Sequence, residues 1–413
     1  MPVHILSALL IGAATPLLAT AGNPPLAKED AERLYSARFE ALLKSPRGEL
    51  PSYEPLEEVR GATRPEPIAA AKPEQRGLSN QSIEAATATA AASNSSAFMV
   101  WRNGALVQES YFGSTTANSL IVSKSLAKPL TAIAIGRAIA LGKIQSLDQP
   151  VADFIPAWRG TPKDKILVRH LLDMRSGLLA QGFSTDPANI WSRAYLHPEH
   201  DRIIVEEYPL TDAPGSIYEY SNATSELVAL VIEAATGRRY ADFIGREVLA
   251  PIGAAGGQVW VNREGGLAHS GCCILLPART WLQLAILLLK DGKQGSKRLL
   301  PKGYVAEMRT ATPENPWYGM GVWVAGPYAE RRGFANPKRP APKILHSEPY
   351  LAADTFLFDG NANQIVYIVP SANLVVLRTG DSPPKQPEWD NAKLLNTILR
   401  GLKPGEAKLT AQR

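Results

Sequence analysis

The β-prone runs of this chain sit at its two ends, and the stretch between them is helix-forming. Near the start, residues 96–101 and 106–112 are joined through Asn103-Gly104, a dipeptide that tolerates positive φ and therefore marks a tight hairpin. Toward the other end, 318–325, 354–358, 364–369 and 373–378 read as strands, each bounded by Gly, Pro or Asn, and a last helix is expected over 387–402. Between them, helices are expected over 124–141, 168–173, 222–236 and 278–290, with Gly237 and Gly292 placed where helices stop. An α+β fold follows: an antiparallel sheet built from both ends of the chain, flanked by helices, with a helical region inserted over about 145–290. No repeat at a solenoid period is visible.

The 413 residues divide into unequal parts. Residues 1–21 read as an export signal, with an apolar run over 5–14 and small residues Ala19-Thr20-Ala21 before a cleavage point, so a periplasmic or secreted protein is expected. Residues 22–93 hold a helix over 25–47, then a segment dense in proline (Pro51, Pro55, Pro65, Pro67, Pro73) that suits a loop or wrapping arm, then an alanine-rich helix over 82–92. The main domain spans 94–402, and 403–413 form a tail. Beyond residue 21, no stretch approaches the ~20 apolar residues of a membrane span. The net charge of +5 comes from scattered basic residues, which excludes a nucleic-acid groove. Cys272 and Cys273 are adjacent; a disulfide between neighbours is strained and rare, so both are expected as small core residues and no stapling framework exists.

Ser123-Lys124-Ser125-Leu126-Ala127-Lys128 opens a helix. Residues three apart share a helical face, so the Ser125 hydroxyl and Lys128 amine can meet, and a neutral amine there could accept the serine proton. Backbone N–H groups at the helix start suit an oxyanion forming at the attacked carbonyl. The bland reading is a helix cap beside a solvated lysine. A second match, Ser382-Pro383-Pro384-Lys385, lies in a proline loop where no helix can align its two groups.

In their order, these segments resemble the serine β-lactamase-related hydrolases, the superfamily of class C β-lactamases, D-alanyl-D-alanine carboxypeptidases, family VIII esterases and 6-aminohexanoate-dimer hydrolases. Ser123 to Lys128 looks like the nucleophile motif, and Leu147-Asp148-Gln149-Pro150-Val151 is similar to the segment after its helix. Val168-Arg169-His170-Leu171-Leu172-Asp173-Met174-Arg175-Ser176-Gly177-Leu178 resembles "HLLxMxSGL", and Pro214-Gly215-Ser216-Ile217-Tyr218-Glu219-Tyr220-Ser221-Asn222 resembles "PGxxFxYSN". The resemblance implies a β-lactamase/transpeptidase-like fold with Ser125 as nucleophile and Lys128 and Tyr220 as proton carriers. Either of the two could be the base. Asn222 would hydrogen-bond Lys128 or a substrate amide, or cap the helix that begins there.

The family's third motif is a cation, a hydroxyl residue and glycine on the strand edging the cleft, and it aligns with Phe358-Asp359-Gly360, ahead of Gln364. The resemblance makes the backbone N–H groups of Ser125 and Asn361 the oxyanion donors and places Asp359 and Gly360 against substrate. Phe358 and Asp359 depart from the pattern: neither can hold a substrate carboxylate. That favours an ester or amide hydrolase over a β-lactamase or carboxypeptidase. A rival reading is a catalytically weak member that binds cell-wall peptide or another acyl ligand without turnover.

His269-Ser270-Gly271 is an alternative placement of the third motif. His197-Pro198-Glu199-His200-Asp201 has ligand-type residues, but Pro198 disrupts a helical face and no third ligand converges in sequence, so no metal site and no cofactor are expected. Trp191, Tyr195, Trp260, Trp317 and Trp323 are candidates for the cleft wall. The expected partner is a small-molecule ester or amide.

Overall fold

Alternation along the strands sorts apolar side chains onto the two faces of one sheet. The computed structural model describes residues 26–45 and 49–413, so the export signal expected at 1–21 lies outside the described residues. On β2 (Ser95–Arg102), Phe98 and Val100 enter one core cluster while Ala97, Met99 and Trp101 enter the other. On the strand Gln364–Val369, Val366 and Ile368 join the larger cluster and Ile365, Tyr367 and Val369 the smaller. Such a sheet must be covered on both sides.

Small elements frame the first strands: α1 (Lys28–Lys44), β1 (Leu56–Val59) and α2 (Asn80–Ala91) precede β2. β3 (Ala105–Tyr111), β4 (Leu120–Val122) and α3 (Ala127–Ala140) follow it; α4 (Asn222–Thr236), β5 (Gly257–Trp260), β6 (Ile274–Pro277) and α5 (Ala278–Leu289) come from the middle of the chain. The last third supplies β7 (Trp323–Val324), β8 (Phe356–Gly360), β9 (Gln364–Val369), β10 (Leu374–Gly380) and α6 (Lys393–Arg400). The main sheet runs β3-β2-β10-β9-β8-β7, every pair antiparallel. The hairpin turns at Asn103 (φ 47°) and Gly104 (φ 91°), both positive as that dipeptide implies.

α2 and α6 cover one face through Ile83, Ala86, Leu394, Leu395 and Ile398. α5 covers the other with α3 behind it, through Trp281, Leu284, Leu288, Leu130 and Ile133. Among the described residues no helix is long and apolar enough to cross a membrane.

Beside the main sheet lies a second one, β1-β5-β6-β4. Its edge strand β1 comes from the proline-dense arm and pairs Leu56 with Trp260. The arm is thus a structural strap. Two expectations shrink: the strand expected over 318–325 is reduced to Trp323–Val324 because the chain turns back at Gly321 (φ 70°), and the last helix begins at Lys393, after Pro387 and the Asp390 side chain that receives the Ala392 N–H.

The cysteines are not the separate small core residues expected. Cys272 and Cys273 are joined, with S–S 2.06 Å. Cys273 adopts a left-handed backbone conformation (φ 62°), which turns the two side chains toward each other. Both stay buried with Trp260 and Tyr53, and the bridge closes no loop between distant segments.

Candidate active site

The turn that presents Ser125 is built from three strands. β4 delivers the chain to Ser123, which is fully buried; its N–H donates to Ile274 O (2.9 Å) and its hydroxyl accepts the Ile274 N–H (3.1 Å). Lys124 then takes φ 50°, a left-handed conformation that costs a side-chain-bearing residue ~1 kcal/mol. Its amine is held outside the turn by Glu49 (2.6 Å) and Tyr53 (3.2 Å) of the arm. A single 3₁₀ turn, Lys124–Leu126, leads into α3. Gly360 at the end of β8 lies against this turn: a Cβ there would stand 3.1 Å from both Leu126 N and Ser123 O. The glycine is therefore needed for contact between two backbones. Gln364 ties the same strands together, donating to Val122 O at 2.8 Å.

Tyr220 is positioned by the two segments that carried the resemblance. Gly215 (φ 82°) leaves room for His170, whose Nε2 would stand 2.9 Å from a Cβ at that position. The Gly215 N–H reaches Arg175 O (2.7 Å) and the Glu219 N–H reaches Met174 O (2.9 Å). The next residue, Tyr220, is buried and aimed at Ser125.

Three side chains meet at one oxygen and one nitrogen. The Tyr220 hydroxyl donates to Ser125 Oγ at 2.7 Å, and Lys128 Nζ lies 3.1 Å from the same atom. Lys128 is 2 % exposed and also donates to Asn222 Oδ1 (2.8 Å) and Gly271 O (3.0 Å). These two acceptors matter chemically. With two N–H bonds directed at Asn222 and Gly271, a neutral amine would turn its lone pair toward Ser125. Asn222 is thus a partner of Lys128; it occupies the first turn of α4, and its side chain does not cap the helix.

Ser125, Tyr220, Asn222, Asp359, Gly360 and Asn361 line one cavity of about 510 Å³. Phe358 does not. By strand alternation it points into the larger core, fully buried, while Asp359 takes the opposite face and enters the cleft. Only Asp359 of this pair can act on substrate. Burial raises its carboxyl to about 7, against the opposing pull of the Asn391 amide and the Arg332 charge. Asn361 begins a 3₁₀ turn, and its side-chain amide donates to Glu49 (3.1 Å), so the arm also reaches the cleft rim.

The cleft contains groups that the sequence reading did not single out. Arg332, Lys343 and His346 line it, from a segment whose ends pair as Arg331–Arg332 with Ile344–Leu345. Arg332 is fixed by bonds to Val324 O, Ala325 O and His346 Nε2. Cations thus enter from a loop, not from the third-motif strand. Gln181 and Phe334 also line the cavity; Gln181 accepts the Asn222 N–H, and the Phe334 ring lies 5.3 Å from that of Tyr220. Of the five aromatics proposed for the wall, only Trp323 lines it. Tyr195 and Trp260 pack in the cluster under α1.

His269-Ser270-Gly271 is not on the cleft strand. His269 is fully buried against Trp260, and this segment serves through the Gly271 carbonyl behind Lys128.

A family model described as Beta-lactamase matches residues 81–395. The chain belongs to the beta-lactamase family. The fold is the β-lactamase/transpeptidase-like one that the motifs implied. It is 24% identical over 223 residues to a 6-aminohexanoate-dimer hydrolase of Paenarthrobacter ureafaciens, covering 51% of this chain and 55% of that protein. It is 31% identical over 147 residues to penicillin-binding protein 4* of Bacillus subtilis (strain 168), covering 35% and 32%. The chain therefore spans about half and a third of those relatives' lengths. Among solved structures, a candidate 6-aminohexanoate-dimer hydrolase from Bacillus anthracis superposes with TM-score 0.63 at 18% identity, covering 85% of this chain and 89% of that one. EstCE1, a hydrolase with promiscuous acyltransferase activity, superposes with TM-score 0.55 at 17% identity, covering 78% and 98%.

Proposed function

We propose that this family member cleaves an ester or amide bond through an acyl-enzyme on Ser125. The observation that carries the reading is the convergence of Lys128 Nζ and the Tyr220 hydroxyl on Ser125 Oγ, at 3.1 and 2.7 Å. Ser125 Oγ bonds to the substrate carbonyl carbon, whose π electrons move onto the oxygen, while the serine proton passes to Lys128 as the neutral amine or to Tyr220 as the phenolate. The backbone N–H groups of Ser125 and Asn361 stabilise the oxyanion. Tyr220 or Lys128 returns the proton to the departing alcohol or amine, and water then releases the acid and restores the serine. The fixed acceptors of Lys128 favour it as the group that first receives the proton.

The cavity wall combines apolar Trp323, Phe334, Ile344 and Leu357 with one carboxylate, Asp359, and the cations Arg332 and Lys343. That mixture suits a compact linear substrate bearing charge at its ends, as a dimer of 6-aminohexanoate does. The cations also favour a second reading, a β-lactam or peptide carboxylate held by Arg332 and Lys343. The apolar run over 5–14 supports placing the protein in the periplasm or outside the cell.

Intact-protein mass spectrometry after fluorophosphonate treatment tests the nucleophile, with hydrolysis of short p-nitrophenyl esters, a linear amide and a chromogenic cephalosporin run in parallel. One adduct, absent from Ser125→Ala, with ester or amide turnover is expected. Cephalosporin turnover exceeding both would select the second reading. No adduct and no turnover in folded protein would leave a binding module in place of an enzyme.

A further inference from the structure

Behind Lys128, on the side away from the cleft, three buried side chains that are far apart in sequence come together. His200 begins a short helix, Glu226 lies on α4, and His269 sits in the loop between β5 and β6. All three are buried at 1% exposure or less. Their ligand atoms lie within 4.8 Å of one another, and they form the only such His/Cys/Asp/Glu triple among the described residues. Neither nitrogen of His200, neither nitrogen of His269, nor Glu226 Oε1 has a hydrogen-bond partner. Buried polar atoms are almost always satisfied, so five orphans in one place call for an occupant.

We propose that His200, Glu226 and His269 bind a divalent transition-metal ion of the zinc class. Two imidazoles and one carboxylate form a zinc-type donor set that leaves a fourth position, and Tyr240, whose buried hydroxyl also lacks a partner, lies in the field of Glu226. The rings of His200 and His269 stack at 4.2 Å, and His269 stacks on Trp260 at 3.7 Å, so ligation turns the two imidazoles out of the stack until a nitrogen of each faces the ion. Tetrahedral ligand atoms at bonds of about 2.1 Å stand ~3.4 Å apart, so binding draws the side chains inward from the present spacing. Arg38, whose guanidinium lies 5.2 Å from the Trp260 ring centre, opposes a dication; the carboxylates of Glu226 and Asp201 favour one.

The site is distinct from the cleft but connected to it. Glu226 Oε1 is the orphan, while Oε2 accepts the Gly271 N–H at 3.4 Å, and the Gly271 carbonyl receives Lys128. An ion on Oε1 would brace the peptide that orients Lys128. This inference does not depend on which bond the cleft cleaves.

The test uses untagged full-length protein, because a histidine tag binds the same ions. After equilibration with ZnCl₂ and exhaustive dialysis, elemental analysis should find near one equivalent of zinc per chain, removable by 1,10-phenanthroline. Cobalt exchange should produce visible d–d bands of tetrahedral type, and zinc should raise Tm by a few degrees. His269→Gln and Glu226→Gln should lose the ion, the bands and the Tm response while keeping the wild-type circular dichroism. Zinc below about a tenth of an equivalent in wild type, or full retention in the double variant His200→Gln/His269→Gln, would overturn the site. If the variants fail to fold, wild-type stoichiometry and the cobalt spectrum suffice: no metal and no bands mean that the three side chains are satisfied by shared protons or water.

Discussion

Replacing Asp359 by asparagine tests how the cleft handles charge. Burial raises the Asp359 carboxyl from its ordinary 3.8 to about 7. A carboxyl with a raised folded-state pKa keeps its proton in the fold after the unfolded chain has released it. The group therefore costs nothing below about 3.8, and its cost grows until the pH passes about 7. The rise corresponds to an upper bound of ~4 kcal/mol at 1.36 kcal/mol per tenfold. Water in the cavity screens the carboxylate, which brings the expected cost to the order of 1–2 kcal/mol. Asp359→Asn should thus stabilise the protein by about that amount near pH 8.5 and hardly at all near pH 4.

The same ionisation governs selectivity. A cavity of about 510 Å³ equals a sphere ~10 Å across, so a charged substrate group sits about 7 Å from Asp359. Coulomb's law then gives ~0.6 kcal/mol at the dielectric of water and ~2.4 kcal/mol at an effective value of 20. Arg332 offsets part of this, so the kcat/KM ratio of an anionic to a neutral p-nitrophenyl ester should fall about 3- to 10-fold between pH 6 and 8.5 in the wild type. In Asp359→Asn the ratio should be flat. Matching pH profiles in the two proteins, with a Tm difference that does not grow with pH, would refute the reasoning.

Other substitutions separate the remaining roles. Ser125→Ala, Lys128→Ala and Tyr220→Phe should each reduce kcat by about three orders of magnitude or more with Tm little changed, read by ester hydrolysis and thermal melts. Near-wild-type activity in Lys128→Ala would remove it as the proton acceptor. Gly360→Ala must push the Ser125 turn or β8 aside and should lower kcat by about 10- to 100-fold through misplacement of the nucleophile, with KM less affected. Asn222→Leu leaves Lys128 without one of its two fixed acceptors; kcat should drop while a pH–rate profile shows a displaced acid limb, and an unmoved limb would mean that Asn222 acts on substrate alone.

Local signals were legible in the sequence because their physics is local. The Asn103-Gly104 hairpin, the three-residue spacing of Ser125 and Lys128, and the stop of α4 at Gly237 all depend on neighbours in the chain. Strand alternation was equally available, and applied to β8 it turns Phe358 inward and leaves Asp359 as the one departure that matters. What stayed hidden depends on separations that no spacing rule covers. The arm's strand β1 needs β5, about 200 residues away, to be recognisable as a strand. His200, Glu226 and His269 look unrelated until three elements converge, and the cations of the cleft arrive on a loop with no periodic pattern. The bridge between Cys272 and Cys273 is not legible in the sequence because it needs the left-handed backbone at Cys273, which only the fold supplies.

The origin of the cleft's groups has a further consequence. Ser125, Lys128, Tyr220 and Asn222 are set by helices and strands locked into a shared core, whereas Arg332, Phe334 and Lys343 ride on a loop attached to the sheet's far edge. The proposed reactive groups and the wall that faces them thus come from different parts of the fold, yet they touch: Tyr218 donates to Phe334 O (3.0 Å) and Asn336 to Glu219 (3.1 Å), in the segment that carries Tyr220. Exchanging residues 331–345 between related chains should therefore shift preference and turnover together, so that a new choice of substrate carries with it a new setting of Tyr220.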